Sequence, residues 1–431
     1  MHHTLGIDIG TFESKGVLVD ANGTIVATAS RPHQMIVPRP GWAEHRADED
    51  WWGDFVHITK ALLAQSGLDP AEIKAVAASA IGPCMLPVDS AGKPLMNGVL
   101  YGVDTRATDQ IAALNARISE ATIHQRCGNA LTSQSVGPKI LWLKETHPDL
   151  YAQTAMVLTS TSYLTWKLTG EYVIDHYTAA NFSPLYDVTT QGWTTDLAPE
   201  ILPTDKLPRL MWSTEIAGHI TAEAAKETGL AEGTPVTCGT IDAAAEAVSV
   251  GVRNPGEMMM MYGSTIFMIQ VTDNDQAREM RLWAGPYLFP DTWCLLAGMA
   301  TSGSLTRWFR DNFAKELIAQ EDKGGESAYS VLMREAQDVP AGAEGVVVLP
   351  YFSGERTPIM DPRARGTIFG LSLTHTRGHI FRSILEGMGH GVRQHVDLFS
   401  SIGARPHTIK SVGGGVKNSV WLQAVSDISG V

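Results

Sequence analysis

Leu5, Ile7 and Ile9 alternate with Gly6, Asp8 and Gly10, the period of two that lays one face of a β-strand against a core. A short turn (TFES) leads to a second apolar run, GVLV at 16–19. The pair Asn22-Gly23 then signals a hairpin into a third run, TIVATAS at 24–30. Three short strands joined by tight turns predict an antiparallel meander. The period then changes. Residues 47–66 carry acidic groups in their first turn and Trp52, Phe55, Ile58, Leu62 and Leu63 near one side, which predicts a helix. A strand is expected over 71–81, a helix over 140–151 and another over 159–170, ending at Gly170. Strands alternating with helices give an α/β class.

The opening pattern returns halfway along. GEMMMMYGSTIFMIQ, residues 256–270, is again an apolar strand, a glycine-hydroxyl turn and a second strand. Two copies of one unit predict two related domains facing one another, 1–249 and 250–431. Ile380, Ile384, Met388, Val392 and Val396 recur at every fourth residue of 378–399, the mark of a well-buried helix. The last stretch, SVGGGVKNSVWLQAVSDISGV, predicts a strand end, three glycines and a helix.

Composition narrows the class without naming an activity. The 431 residues suit two domains, with 44% hydrophobic and 18% charged residues. Lys plus Arg is 33 against 46 Asp plus Glu, a net charge of −13. That excess argues against nucleic acid or an acidic membrane as the main partner. Cys84, Cys127, Cys238 and Cys294 are scattered and form no CxxC pair, as in a reducing compartment. The first residues lack the basic and apolar regions of a signal peptide, and no apolar run reaches the ~18 residues of a membrane span. A cytoplasmic protein is expected.

Candidate chemistry gathers at the turns. Asp8 sits inside an apolar strand, where a carboxylate is costly unless it is paired or metal-bound. Gly10 and Thr11 offer a turn suited to phosphate oxygens, and Lys15 adds a positive charge across it. A nucleotide-borne Mg²⁺ would explain Asp8; so would a strand-end carboxylate satisfying turn amides. Gly263, Ser264 and Thr265 form a second such turn, with an ordinary hairpin as the alternative. Asp242 lies between a strand and an alanine-rich helix, as a helix cap, a general base or both. The three glycines of SVGGG suit a backbone passing close to a flat ligand such as adenosine, and Asn418 can cap the next helix or touch a nucleobase. Asp104 and Arg106, in VLYGVDTRA, suit sugar hydroxyls or a surface salt bridge. No metal-ligand spacing or GxSxG elbow occurs, since His390 and His395 are five apart.

Together these motifs resemble the FGGY family of carbohydrate kinases. DIGTFESK is similar to the family's first phosphate motif, GTPVTCGTIDAAAEAVSVG to its catalytic-aspartate segment and MYGST to its second phosphate motif. GTIFGLSLTHTRGHIFRSILE, residues 366–386, fits its signature, and GGGVKNSVWLQAVSDISG is similar to its adenosine motif. The motifs stand in family order from residue 5 to 430. GWAEHRADEDWW, PYFSGERTP and DPRARG look most like the xylulokinase branch.

The resemblance implies two actin-like, ribonuclease-H-like domains with a catalytic cleft between them, binding ATP, Mg²⁺ and a sugar. It implies Asp242 as general base, with Asp8 and Asp242 at the metal. Gly10, Thr11, Lys15, Gly263, Ser264 and Thr265 would hold the phosphates, and Gly414, Gly415 and Asn418 the adenosine. A ketopentose such as D-xylulose is the expected acceptor. Ribulose, gluconate, glycerol or erythritol, and a non-catalytic sugar- or nucleotide-binding relative, are the alternatives, and a homodimer is left open. Two departures stand out. Where the branch usually carries a Gln-Met-His sugar contact, this chain reads Ile81-Gly82-Pro83-Cys84, placing Pro83 and Cys84 at the sugar with Asp104 and Arg106; Ala243 lacks an amide often found there. Members also usually continue for several dozen residues past the adenosine motif, so the second domain is expected to be short at its C-terminus.

Overall fold

The computed structural model describes residues 2–275 and 277–431. They form two compact units. One runs to Glu246 and takes in Gly285–Thr292; the other comprises Ala247–Ala284 and Trp293–Val431.

The first unit is built on the predicted meander. β1 (His3–Ile9) pairs antiparallel with β2 (Glu13–Asp20), and β2 with β3 (Ile25–Pro32). After a wide turn at Ala47–Trp52 comes α1 (Gly53–Ser66), then β4 (Ile73–Ala80), which lies parallel to β1. Parallel pairing requires such a crossover, because a tight turn can only reverse the chain. Two short strands, β5 (Pro235–Thr237) and β6 (Thr240–Ile241), run parallel to β4, and α2 (Asp242–Ser249) follows at once. The inward residues of the alternation, Leu5, Ile7 and Ile9, pack with Phe55, Ile58, Leu62 and Val76 in one core.

The second unit repeats the plan. β7 (Glu257–Tyr262) pairs antiparallel with β8 (Ile266–Thr272), and β8 with β9 (Trp293–Met299). α3 (Gly303–Phe313) follows, and later α4 (Arg377–Ser401). β10 (Thr408–Val412) lies parallel to β7 and leads through Gly414–Lys417 to α5 (Ser419–Ser429). Of the apolar residues at fourth-residue spacing in α4, Ile384, Met388, Val392 and Val396 are buried and Ile380 packs partly against them.

One helix was expected over 140–151, and two are found, Val136–Thr146 and Pro148–Gln153. Pro148 has no N–H to donate back, and its ring excludes a helical His147, so the chain restarts there.

Candidate active site

The register of the first unit brings its candidate residues together. Across neighbouring strands Asp8 aligns with Ser79, and Ser79 with Thr240. Asp8 and Asp242 therefore stand at the carboxyl ends of two parallel strands that flank β4, the usual ligand-binding edge of an α/β sheet. Lys15 lies directly across the hairpin from Asp8. Ser79 Oγ donates to Asp8 Oδ1 at 2.6 Å, and the Ala243 amide donates to Asp242 Oδ1 at 2.7 Å. Asp175, fully buried, accepts from the Thr240 hydroxyl at 2.9 Å and so fixes the strand that delivers Asp242.

The carboxyls at this edge oppose one another's ionisation. Burial first, then the charge of Asp8 and that of Glu246, push the Asp242 carboxyl up to about 7 against the pull of the Ala243 amide. Burial raises Asp8 as well, against its bond from Ser79 and the charge of Lys15; burial and Asp8 raise Glu246. Glu246 went unnoticed in the sequence, although the i, i+4 spacing after Asp242 puts both on one helix face. Mutual repulsion of this kind is what a divalent cation relieves. Among the described residues no group of three His, Cys, Asp or Glu side chains could hold a metal ion. That donor set suits Mg²⁺ carried in on phosphates and water, which needs only one or two carboxylates.

The residues expected at a sugar are buried. Pro83 and Cys84 are closed off, and burial pushes the Cys84 thiol up to about 12, so it is inert at neutral pH. Asp104 and Arg106 form no surface pair. Asp104 accepts from the Ala43 amide at 2.7 Å, and Arg106 Nη2 reaches Asp104 and Glu44 at 2.8 Å each. The guanidinium lies 4.0 Å from the Trp42 ring centroid, and its Nη1 has no partner. Nearby, Lys139 donates to the carbonyls of Leu100 and Tyr101 at 2.6 and 3.1 Å; burial pushes its ammonium down to about 8. Replacing Arg106 by Met would strand two carboxylates in the core. Breaking a buried pair in this way costs about 3–5 kcal/mol, so urea unfolding of Arg106→Met should shift to a clearly lower midpoint.

In the second unit, Gly263–Thr265 form the turn between β7 and β8, closed by the Gly263 amide donating to the Thr265 carbonyl at 3.0 Å. The start of α3 braces this turn. Gly303 N–H donates to the Gly263 carbonyl at 2.9 Å, and the Ser302 and Ser304 amides donate to the Ser264 carbonyl at 3.1 Å each. A cavity of about 710 Å³ opens here, lined by Gly263, Ser264, Gly414, Gly415 and Asn418 among others. Asn418 caps α5, its Oδ1 accepting from the Trp421 amide at 3.0 Å. Arg307, Tyr329 and Met333 also line it; nothing in their spacing announced them.

Comparison with known proteins gives matches along nearly the whole chain. The model of the FGGY family of carbohydrate kinases, N-terminal domain, matches residues 3–249, and that of the C-terminal domain matches 258–431. A xylulose kinase of Escherichia coli is 30% identical over 428 residues, covering 99% of this chain and 84% of that protein. A gluconokinase of Bacillus subtilis is 27% identical over 430 residues, covering 99% and 82%. Among solved structures, a xylulose kinase from Rhodospirillum rubrum superposes with a TM-score of 0.90 at 32% identity, covering 99% of this chain and 85% of that one.

Proposed function

The chain belongs to the FGGY family of carbohydrate kinases, and from that premise we propose that it phosphorylates a ketopentose, D-xylulose first among them, with Asp242 as the general base. Its activity as an ATP-dependent sugar kinase follows from the family. The choice of sugar rests on similarity to xylulose kinases over 99% of this chain, at 30% and 32% identity. Gluconate is the second candidate, because a gluconokinase is 27% identical over the same span.

Phosphoryl transfer asks a protein mainly for positioning and charge. Asp242 takes the proton of the attacking hydroxyl; a carboxyl pushed up to about 7 matches a base working near neutral pH. In the first unit Gly10, Thr11 and Lys15 hold phosphate oxygens; in the second, Gly263, Ser264 and Thr265 do. Gly414 and Gly415 lie against the adenosine. The Asn418 oxygen caps α5, which leaves its amide nitrogen for the base. Asp8 and Asp242 face Mg²⁺, which when bound neutralises the charge gathering on the phosphates. At the sugar, Pro83, Cys84 and the buried Asp104–Arg106 pair shape the pocket from beneath its surface. ATP use and four buried free cysteines suit the cytoplasm.

The test is a panel of D-xylulose, D-ribulose, gluconate, glycerol and erythritol, assayed for ADP release with the product identified. D-xylulose should give the highest kcat/KM, by at least about tenfold, the discrimination a modest change in pocket contacts provides. A preference for gluconate would transfer the assignment.

A further inference from the structure

The turn between β1 and β2 is held from behind by two histidines that the proposed chemistry does not use. His45 Nε2 lies 3.1 Å from the Thr11 carbonyl, and Trp51 Nε1 donates to His45 Nδ1 at 3.1 Å. Indole N–H only donates, so Nδ1 accepts and the proton sits on Nε2, aimed at Thr11. His33 lies between two acceptors, Asp54 Oδ2 at 2.8 Å from Nδ1 and the Gly10 carbonyl at 3.1 Å from Nε2. Both its nitrogens must therefore carry protons, as in an imidazolium. Asp54, buried, also accepts from the Ser14 hydroxyl at 2.7 Å and lies 3.3 Å from Arg31 Nε. The His33 backbone amide takes the third carbonyl, that of Phe12, at 2.9 Å.

Charge agrees with these assignments. Burial lowers His33, but its bond to Asp54 and the charges of Asp54 and Asp50 lift it above the usual histidine value. Burial and then the His33 charge push His45 down to about 4, so it stays a neutral ring at neutral pH.

A trans peptide points its C=O and N–H in opposite directions. Anchoring the Gly10 carbonyl aims the Thr11 amide away from His33, and anchoring the Thr11 carbonyl does the same for Phe12. The Gly10 amide is spent on the Glu13 carbonyl at 3.2 Å, whereas no group among the described residues accepts from the Thr11 or Phe12 amide. We propose that His33 and His45 are positioning residues for nucleotide binding, clamping the carbonyls of Gly10 and Thr11 so that the amides of Thr11 and Phe12 present a fixed pair of donors to a phosphate group. The clamp rests on the assignment of this turn to phosphate.

The experiment compares binding of Mg²⁺–AMP-PNP with binding of adenosine, which has no phosphate. His45→Phe keeps a ring and loses the donor; it should weaken AMP-PNP at least tenfold and leave adenosine within twofold. His45→Gln restores an N–H donor toward Thr11 and should recover most of the loss. Equal loss of both ligands, loss of neither, or no rescue by Gln overturns the clamp. Lys15→Ala separates the two assignments. If it weakens AMP-PNP while His45→Phe does not, the clamp alone falls; if neither weakens it, the phosphate assignment of the turn falls as well. Should His45→Phe not fold, wild-type protein labelled with ¹⁵N-threonine and ¹⁵N-phenylalanine decides the matter. The Thr11 and Phe12 amide resonances should move with AMP-PNP and not with adenosine, and unmoved resonances overturn the proposal.

Discussion

Asp242→Asn is expected to lower kcat by roughly 10³-fold, the order a positioned general base contributes, and at the same time to make the metal-free protein more stable. The two effects share a cause. Burial, the charge of Asp8 and the charge of Glu246 raise this carboxyl from the ordinary 3.8 to about 7. Between those values the unfolded chain gives up its proton and the folded one keeps it. Stability therefore falls as pH rises through that window and levels off above about 7. At about 1.4 kcal/mol per unit the full shift is about 4 kcal/mol. Asp242 keeps part of its surface open, and screening there brings the effect to about 2–3 kcal/mol. Asparagine has the same shape and no charge to bury. In urea unfolding with a chelator, the variant should be more stable than wild type at pH 8, and the gain should shrink on lowering the pH to 5. Affinity for adenosine, which brings no metal, should stay within threefold. Turnover within tenfold of wild type would remove Asp242 from the role of base, whereas a stability gain independent of pH would refute its electrostatic origin.

The parts of this site that were visible in the sequence are the ones made by neighbours along the chain. The alternation at Leu5, Ile7 and Ile9 and the Asn22-Gly23 turn are local signals, and both became elements of the meander. The second hairpin was legible because it repeats the first, down to a parallel strand beside its leading one. What stayed hidden depends on register between distant segments. Ser79 is 71 residues from the Asp8 it serves, and His33 and His45 are 23 and 34 residues from the carbonyls they bind. Asp104 and Arg106 could be read as a surface pair because Glu44 is 62 residues from Arg106. Their burial depends on that third charge and on the Trp42 ring, which no local pattern announces. Pro148, by contrast, is a local signal: a proline after His147 restarts the helix whatever the distant packing.

Gly414→Val should cost the second unit its nucleotide, and Gly413→Ala should cost it stability, although the two positions are adjacent. A side chain at Gly414 meets nothing within 4 Å and stands at the wall of the 710 Å³ cavity. Valine fits the fold there and occupies ligand space, so thermal unfolding should change by no more than about 2 °C, the size of a sub-kilocalorie change. Affinity should fall about 100-fold, equivalent to roughly 3 kcal/mol of lost contact. Gly413 differs on both counts. Its φ of +91° lies where L-residues are strained, and a Cβ would sit 2.7 Å from the Tyr262 carbonyl oxygen. Backbone cannot yield as a side chain does, so Gly413→Ala should destabilise by about 1–3 kcal/mol. Because Tyr262 leads directly into the Gly263–Thr265 turn, relief of that clash would also displace the second set of phosphate donors. The ligand pair separates these effects from the histidine clamp. Gly414→Val removes adenosine and AMP-PNP alike, since both need the base site, whereas loss of the clamp is felt only by the ligand with phosphates. A Gly414→Val protein that binds adenosine as wild type does would place the base outside this cavity, and Gly415 and Asn418 would lose their assignment with it.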